Sequence, residues 1–77
     1  MPTFNYKLDD EDQSTGEHVL TPNQILLNAG VDVQTHYLVQ IIGKKRESYE
    51  GKAAEEIHMH NHMIFVSVST GATPVSF

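Results

Sequence analysis

The sequence predicts a small α+β domain in which one helix crosses a mixed sheet of four to five strands. Three observations predict this fold class. Phe4, Tyr6 and Leu8 alternate with polar residues, as in a half-buried strand. The tetrapeptide TPNQ at 21–24 has the form of a capped helix start. The segment YLVQII at 37–42 is rich in the β-branched and aromatic residues that favour strands.

Length, composition and charge narrow the class of protein. The chain has 77 residues, which make one domain, and a domain of this size buries only about 60% of its unfolded surface. Its hydrophobic fraction of 39% is ordinary for a soluble globular protein. The net charge of −5 argues against nucleic acid and against anionic membranes as partners. There is no cysteine, which excludes disulfides, thiolate zinc sites and a cysteine nucleophile.

The remaining elements follow in order. The polar, acidic stretch 9–16 ends in glycine and predicts a hairpin loop, so residues 17–20 are expected to form the second strand. After the helix, which is expected to stop at Gly30, comes the strand at 37–42. Three of the five basic residues mark a turn at 43–46, and residues 47–49 are a candidate short strand. The last strand is predicted at 63–68.

These elements predict residues 1–68 as the domain and residues 69–77 as a flexible C-terminal tail. The chain carries no secretory signal and no membrane-spanning apolar run, so we expect a cytoplasmic protein. A right-handed crossover through the helix places the first and last strands side by side at the centre of the sheet. This is the β-grasp arrangement.

From Phe4 to Val68 the chain resembles ubiquitin-like proteins in the order and length of its elements. The resemblance includes the Thr21-Pro22 helix start and the Gly43-Lys44-Lys45 turn. The segment 24–30, Phe65 and the ending at 73–76 are also similar to small bacterial ubiquitin-like and multi-ubiquitin families.

That resemblance implies a protein modifier in a bacterial ubiquitination-like pathway with a role in antiphage defence. An activating-enzyme-like adenylating protein would activate its C-terminal carboxylate, a conjugating-enzyme-like protein would pass it to a target, and a JAB-type peptidase is a further expected partner. No cofactor is implied, and the free protein is expected to be a monomer. The alternative is a β-grasp interaction module, an adaptor or scaffold, that is never conjugated.

The tail departs from the pattern of ubiquitin-like modifiers, which usually end in Gly-Gly. Here the chain ends in Ser76-Phe77, and Gly71 is the only glycine after the last predicted strand. Three explanations stay open: trimming near Gly71, a partner that accepts a bulkier end, or no conjugation. The expected conjugation and processing segment comprises Gly71, Ala72, Thr73, Pro74, Val75, Ser76 and Phe77.

The strand at 37–42 also predicts a docking surface. If Val39 and Ile41 face the helix, Leu38 and Ile42 are left on the open face of the sheet. The expected partner-binding residues are Leu38, Gln40, Ile42 and Lys44. The alternative is that loops cover both faces.

Neither of two clusters of polar side chains predicts a metal-binding site. His58, His60 and His62 share one face if the chain is extended there, but no cysteine or carboxylate completes a metal site, so we expect none. The acidic run 9–12 lacks the spacing of a calcium loop and is expected to be solvated. A domain this thin has little room for a catalytic pocket, so we expect no enzymatic activity.

Overall fold

The computed structural model describes residues 3–70. Within this range the chain forms seven strands and one helix. In chain order they are β1 (Phe4–Leu8), β2 (Glu11–Thr15), β3 (Val19–Leu20), α1 (Pro22–Asn28), β4 (His36–Ile42), β5 (Lys45–Ser48), β6 (Ile57–His58) and β7 (Met63–Ser69). The last strand therefore continues one residue beyond its predicted end.

Five of these strands form a mixed sheet in the order β2-β1-β7-β4-β5. The neighbours β1 and β7 run parallel, with Tyr6 opposite Met63 and Leu8 opposite Phe65. The other neighbouring pairs of the sheet are antiparallel. The prediction that the first and last strands lie side by side is confirmed. The short strands β3 and β6 pair with each other in a second, two-stranded sheet.

The first hairpin differs from its prediction. The expected loop at 9–16 is wrong, because the chain turns at Asp9 and Asp10 and β2 begins at Glu11. A strand does lie within the predicted range 17–20, namely β3, but it pairs with β6 and not with β1. Both aspartates have positive φ, 53° and 67°, as a two-residue hairpin turn requires and as aspartate tolerates. The strand β2 lies at the sheet edge and has polar side chains, so its sequence shows no apolar alternation.

Hydrogen bonds connect the turn between β1 and β2 to the central strand β7. The Asp9 amide donates to the Phe65 carbonyl at 3.0 Å. One oxygen of the Asp9 carboxylate accepts from the Ser67 amide at 2.8 Å, and the other accepts from the Ser67 hydroxyl. One member of the acidic run thus has a structural partner.

The helix begins and ends as predicted. The Gln24 amide donates to the Thr21 hydroxyl at 3.2 Å, and the Thr21 amide donates to the Gln24 side-chain carbonyl at 2.9 Å. These two bonds form a capping box, which satisfies backbone donors at the helix start. After the helix, Gly30 takes a φ of 77°, a conformation that glycine adopts without strain.

The core lies between the helix and one face of the sheet. Leu26 of the helix and Phe65 of β7 are fully buried, and the Tyr6 and Phe65 rings meet edge to face with centroids 5.8 Å apart. The short second sheet closes the core with one residue from each strand, Leu20 and Ile57. The buried cluster comprises Tyr6, Leu8, Leu20, Ile25, Leu26, Leu38, Ile57, Met59 and Phe65.

Candidate functional site

The facing of β4 is the reverse of the one expected. Leu38 has 0% of its surface exposed and belongs to the buried cluster with the helix. Successive strand residues point to opposite faces, so Val39 and Ile41 lie on the face away from the helix. The prediction of an inward Val39 and Ile41 is therefore wrong. Both sets of β4 side chains contain two or more apolar residues, so alternation alone does not specify which set turns inward.

The predicted docking residues consequently do not form one surface. Leu38 is buried, and Gln40 is half-buried, with the Tyr49 hydroxyl donating to its side-chain oxygen at 3.5 Å. Ile42, 53% exposed, ends β4, and Lys44 lies exposed in the turn that follows. Only these last two of the four are exposed.

The face away from the helix carries a continuous apolar stripe, which we call the open face. It consists of directly opposed pairs from the two neighbouring strands β4 and β7, because cross-strand partners point to the same side of a sheet. Ile64 is 44% exposed, Val39 is buried between its neighbours, and the other four are half-buried. The pairs are Tyr37 with Val68, Val39 with Val66, and Ile41 with Ile64.

Polar and charged residues border the open face on both sides. Lys7 lies opposite Ile64 on β1, and Asp12 lies opposite Lys7 on β2. The Lys7 ammonium is 3.8 Å from the Asp12 carboxylate, and both side chains are mostly exposed, so this ion pair contributes little to stability. On the other side, Arg46 of β5 lies opposite Ile41. An apolar centre with a charged rim is the usual anatomy of a protein interface.

A shallow groove of about 200 Å³ adjoins one end of the open face. It runs between the beginnings of β1 and β7, and Lys7, His62 and Ile64 are among its lining residues. The His62 amide donates to the Asn5 carbonyl at 2.7 Å, which fixes this end of the groove. The groove is smaller than the roughly 300–1,000 Å³ of small-molecule sites. It extends the open face rather than forming a separate ligand pocket.

The three histidines predicted to share a face if extended are separated by a change of chain direction. His58 belongs to β6, and His62 has a φ of 71° in the turn before β7. Within residues 3–70, no group of three or more histidine, cysteine, aspartate or glutamate side chains is arranged to hold a metal ion.

Two tyrosines have perturbed titration, and both lie on the helix side of the sheet. Burial raises the pKa of Tyr6 above its ordinary value near 10. Burial also raises the pKa of Tyr49, and the nearby charges of Glu47 and Glu55 raise it further. Ionisation of these two tyrosines therefore affects stability at alkaline pH, and neither side chain lies on the open face.

The sequence predicted an apolar patch on this side of the sheet but assigned Leu38 and Ile42 to it, and no pattern within β4 or β7 reveals the residues that form it. In β7 the apolar residues Ile64, Val66 and Val68 interleave with Met63 and the buried Phe65, so either set could face the helix. The register between β4 and β7 is what assembles the stripe. The predicted conjugation segment, Gly71 to Phe77, lies outside the described residues.

Among residues 3–70, no helix is long and apolar enough to cross a membrane. Comparison of the chain with protein-family models, with curated proteins and with solved structures gives no match.

Proposed function

We propose that this chain is a β-grasp protein-interaction domain that docks on its partners through the open face. The strand order β2-β1-β7-β4-β5, with the helix on one side, supports the β-grasp assignment. The observation that carries the function is the apolar stripe on β4 and β7, where Ile64 remains 44% exposed. A contiguous, partly exposed apolar surface with a polar rim favours protein docking, because covering it removes apolar area from water.

The test is a charge placed on the open face, with a matched charge elsewhere. Ile64→Glu puts a carboxylate in the stripe, whereas Leu27→Glu puts one on the helix, where Leu27 is 59% exposed. Both positions are solvent-accessible, so both variants are expected to fold, which circular dichroism checks. Affinity enrichment from native cells, quantified by mass spectrometry, should show partners that Ile64→Glu loses and Leu27→Glu keeps. Identical partner sets for the wild type and both variants would refute docking through this face.

A second candidate function is the covalent modifier that the sequence resemblance implies. One observation favours it. The Thr70 amide donates to the Thr35 carbonyl at 2.9 Å, so the backbone is held to the scaffold immediately before Gly71. A C-terminal segment that leaves a rigid sheet next to the open face suits presentation to an adenylating enzyme. In this role the protein acts in the cytoplasm with activating-like and conjugating-like partners and a JAB-type peptidase.

Intact mass and anti-tag blotting distinguish the two candidates. The protein is expressed with an N-terminal tag together with its native neighbouring genes. A mass that ends at Gly71, or heavier adducts that disappear when 71–77 is deleted, supports the modifier. Two results together support the docking domain alone. The full-length protein gives a single species at its full mass, and the variant that lacks 71–77 still captures the same partners. Ile64→Glu would then abolish partner capture without any change in mass other than that of the substitution.

A further inference from the structure

A second groove, of about 150 Å³, lies between α1, β4 and the loop that follows β5. Its lining includes Val33 and Tyr49, which are half-buried and therefore remain partly open to water. The groove is smaller than the roughly 300–1,000 Å³ of small-molecule sites, but it has room for individual side chains. We call it the helix-side groove. Its apolar lining residues are Pro22, Leu26, Val33, Tyr37, Leu38 and Tyr49.

The backbone of His36 offers hydrogen-bonding groups at this groove, which it also lines. The Tyr49 amide donates to the Leu38 carbonyl at 2.9 Å, on the side of β4 that faces β5. Alternate residues of a strand direct their backbone groups to the same side, so the His36 amide and carbonyl point that way too. The strand β5 ends at Ser48, so within residues 3–70 no strand continues beside them. An extended chain can pair with such groups at a sheet edge.

The chain itself passes along the groove before it leaves the described residues. Thr70, the last of them, is part of the groove wall. The Thr70 amide donates to the Thr35 carbonyl at 2.9 Å, which holds this point of the chain in place. The residues 71–77 follow, and seven extended residues span up to roughly 23 Å. The segment 71–77 therefore begins at the groove and is long enough to cross it.

The sequence of this segment is that of an apolar, extended ligand. None of its residues is charged. Pro74 disfavours helix at the residue before it and favours an extended backbone there. Val75 and Phe77 are two positions apart, so in an extended chain both point to one side and Ser76 points to the other. One side of the segment is therefore apolar where the groove is apolar.

We propose that the segment 71–77 folds back into the helix-side groove of its own chain. Val75 and Phe77 contact the apolar lining, and the backbone of the segment pairs with His36. The attachment at Thr70 favours the chain's own segment over that of a partner, because a short tether gives an effective concentration in the millimolar range. Contacts too weak to hold a free peptide are then sufficient.

Docking of the segment leaves most of the open face uncovered, because the groove shares only Tyr37 with it. Partners that dock around Ile64 do not require the segment to move, so this inference rests on neither candidate function. In the modifier role it adds a step. An enzyme that acts on 71–77 must first release the segment from the groove.

A charge placed on the segment tests the docking without a change in the domain itself. Val75→Asp puts a carboxylate on the side expected to enter the groove, where burial without a partner is unfavourable. Ser76→Asp puts the same charge at the next position, on the side expected to face water. Circular dichroism and thermal unfolding check that both full-length variants fold as the wild type does.

The measurement is nuclear magnetic resonance of the full chain labelled with ¹⁵N. In the wild type and the Ser76 variant, relaxation should show 73–77 as ordered as the domain on the picosecond to nanosecond timescale. Val75→Asp should remove that order and shift the amide resonances of Val33 and Tyr49. It should also speed hydrogen exchange at the His36 amide, about tenfold if the segment is docked about 90% of the time.

Three results would overturn the proposal. The first is the same relaxation at 73–77 and the same exchange at His36 in all three proteins. The second is an equal effect of Val75→Asp and Ser76→Asp, which would show that added charge matters and not the side that faces the groove. The third is a wild type whose Val33 and Tyr49 resonances depend on protein concentration, which would assign the groove to the segment of a second copy.

Discussion

The reversed facing of β4 can be tested by comparing Leu38→Ala with Ile42→Ala. The two residues lie on the same strand, but Leu38 is 0% exposed in the core and Ile42 is 53% exposed at the strand end. Truncation of a fully buried leucine costs about 2–5 kcal/mol, through lost apolar burial and the cavity left behind. Surface truncations away from such contacts usually stay within about 0.5 kcal/mol.

The free energy of unfolding that Leu38→Ala is expected to remove is large for so small a domain. A chain of 77 residues has a total free energy of unfolding of roughly 4–12 kcal/mol, at about 0.05–0.15 kcal/mol per residue. Leu38→Ala therefore removes a substantial share of it. With a urea slope near 1 kcal/mol per molar, the unfolding midpoint should fall by about 2 M or more. Ile42→Ala should move the midpoint by about 0.5 M at most.

The assay is urea unfolding followed by far-ultraviolet circular dichroism, since the chain has no tryptophan to serve as a fluorescence probe. Both variants should retain the wild-type urea slope, which would show that all three proteins expose a similar surface area on unfolding. Equal midpoints for Leu38→Ala and Ile42→Ala would refute the facing of β4 and, with it, the composition of the open face. A larger loss for Ile42→Ala would restore the orientation expected from the sequence.

Three further predictions concern single contacts. Burial holds the pKa of Tyr6 above its ordinary value near 10, so its contribution to stability is complete below that pH and is lost as the pH rises through the folded-state pKa. Tyr6→Phe should therefore flatten the alkaline decline in melting temperature, measured by calorimetry from about pH 9 to about pH 12. Asp9→Asn keeps a residue that tolerates positive φ but weakens the bonds to Ser67, so thermal unfolding should show a loss of about 0.5–2 kcal/mol, against little change for Asp10→Asn at the adjacent turn position. Thr21→Ala removes the helix cap and should cost about 1 kcal/mol in urea unfolding, while Thr21→Ser should keep most of it.

The parts of the fold that the sequence predicted are those with a local chemical cause. The helix start follows from Thr21 and Gln24, whose side chains make the capping bonds within one turn of chain, and from Pro22 at the first helical position. The first strand follows from the alternation that ends at Leu8. The central pairing of β1 with β7 follows from the handedness of crossover connections, which is a property of all polypeptides.

The parts that were missed depend on contacts distant in the chain. The strand β2 is specified by a tight turn at Asp9 and Asp10 and by pairing along β1, while its side chains stay polar. The facing of β4 is specified by which apolar set meets Ile25 and Leu26 of the helix. The open face depends on the facing of β4 and on the register between β4 and β7, so no short sequence motif could have predicted it.

The bond between Asp9 and Ser67 has a consequence for the order of folding. It joins residues 58 positions apart, and the β1–β7 pair beside it spans a similar length of chain. Closing a loop of that length costs about 1.5 kcal/mol more entropy than closing one of about ten residues. The hairpins β1–β2 and β4–β5 can therefore form early, on the microsecond scale of local contacts. We expect the parallel centre of the sheet to assemble late and to set the folding rate of the whole domain.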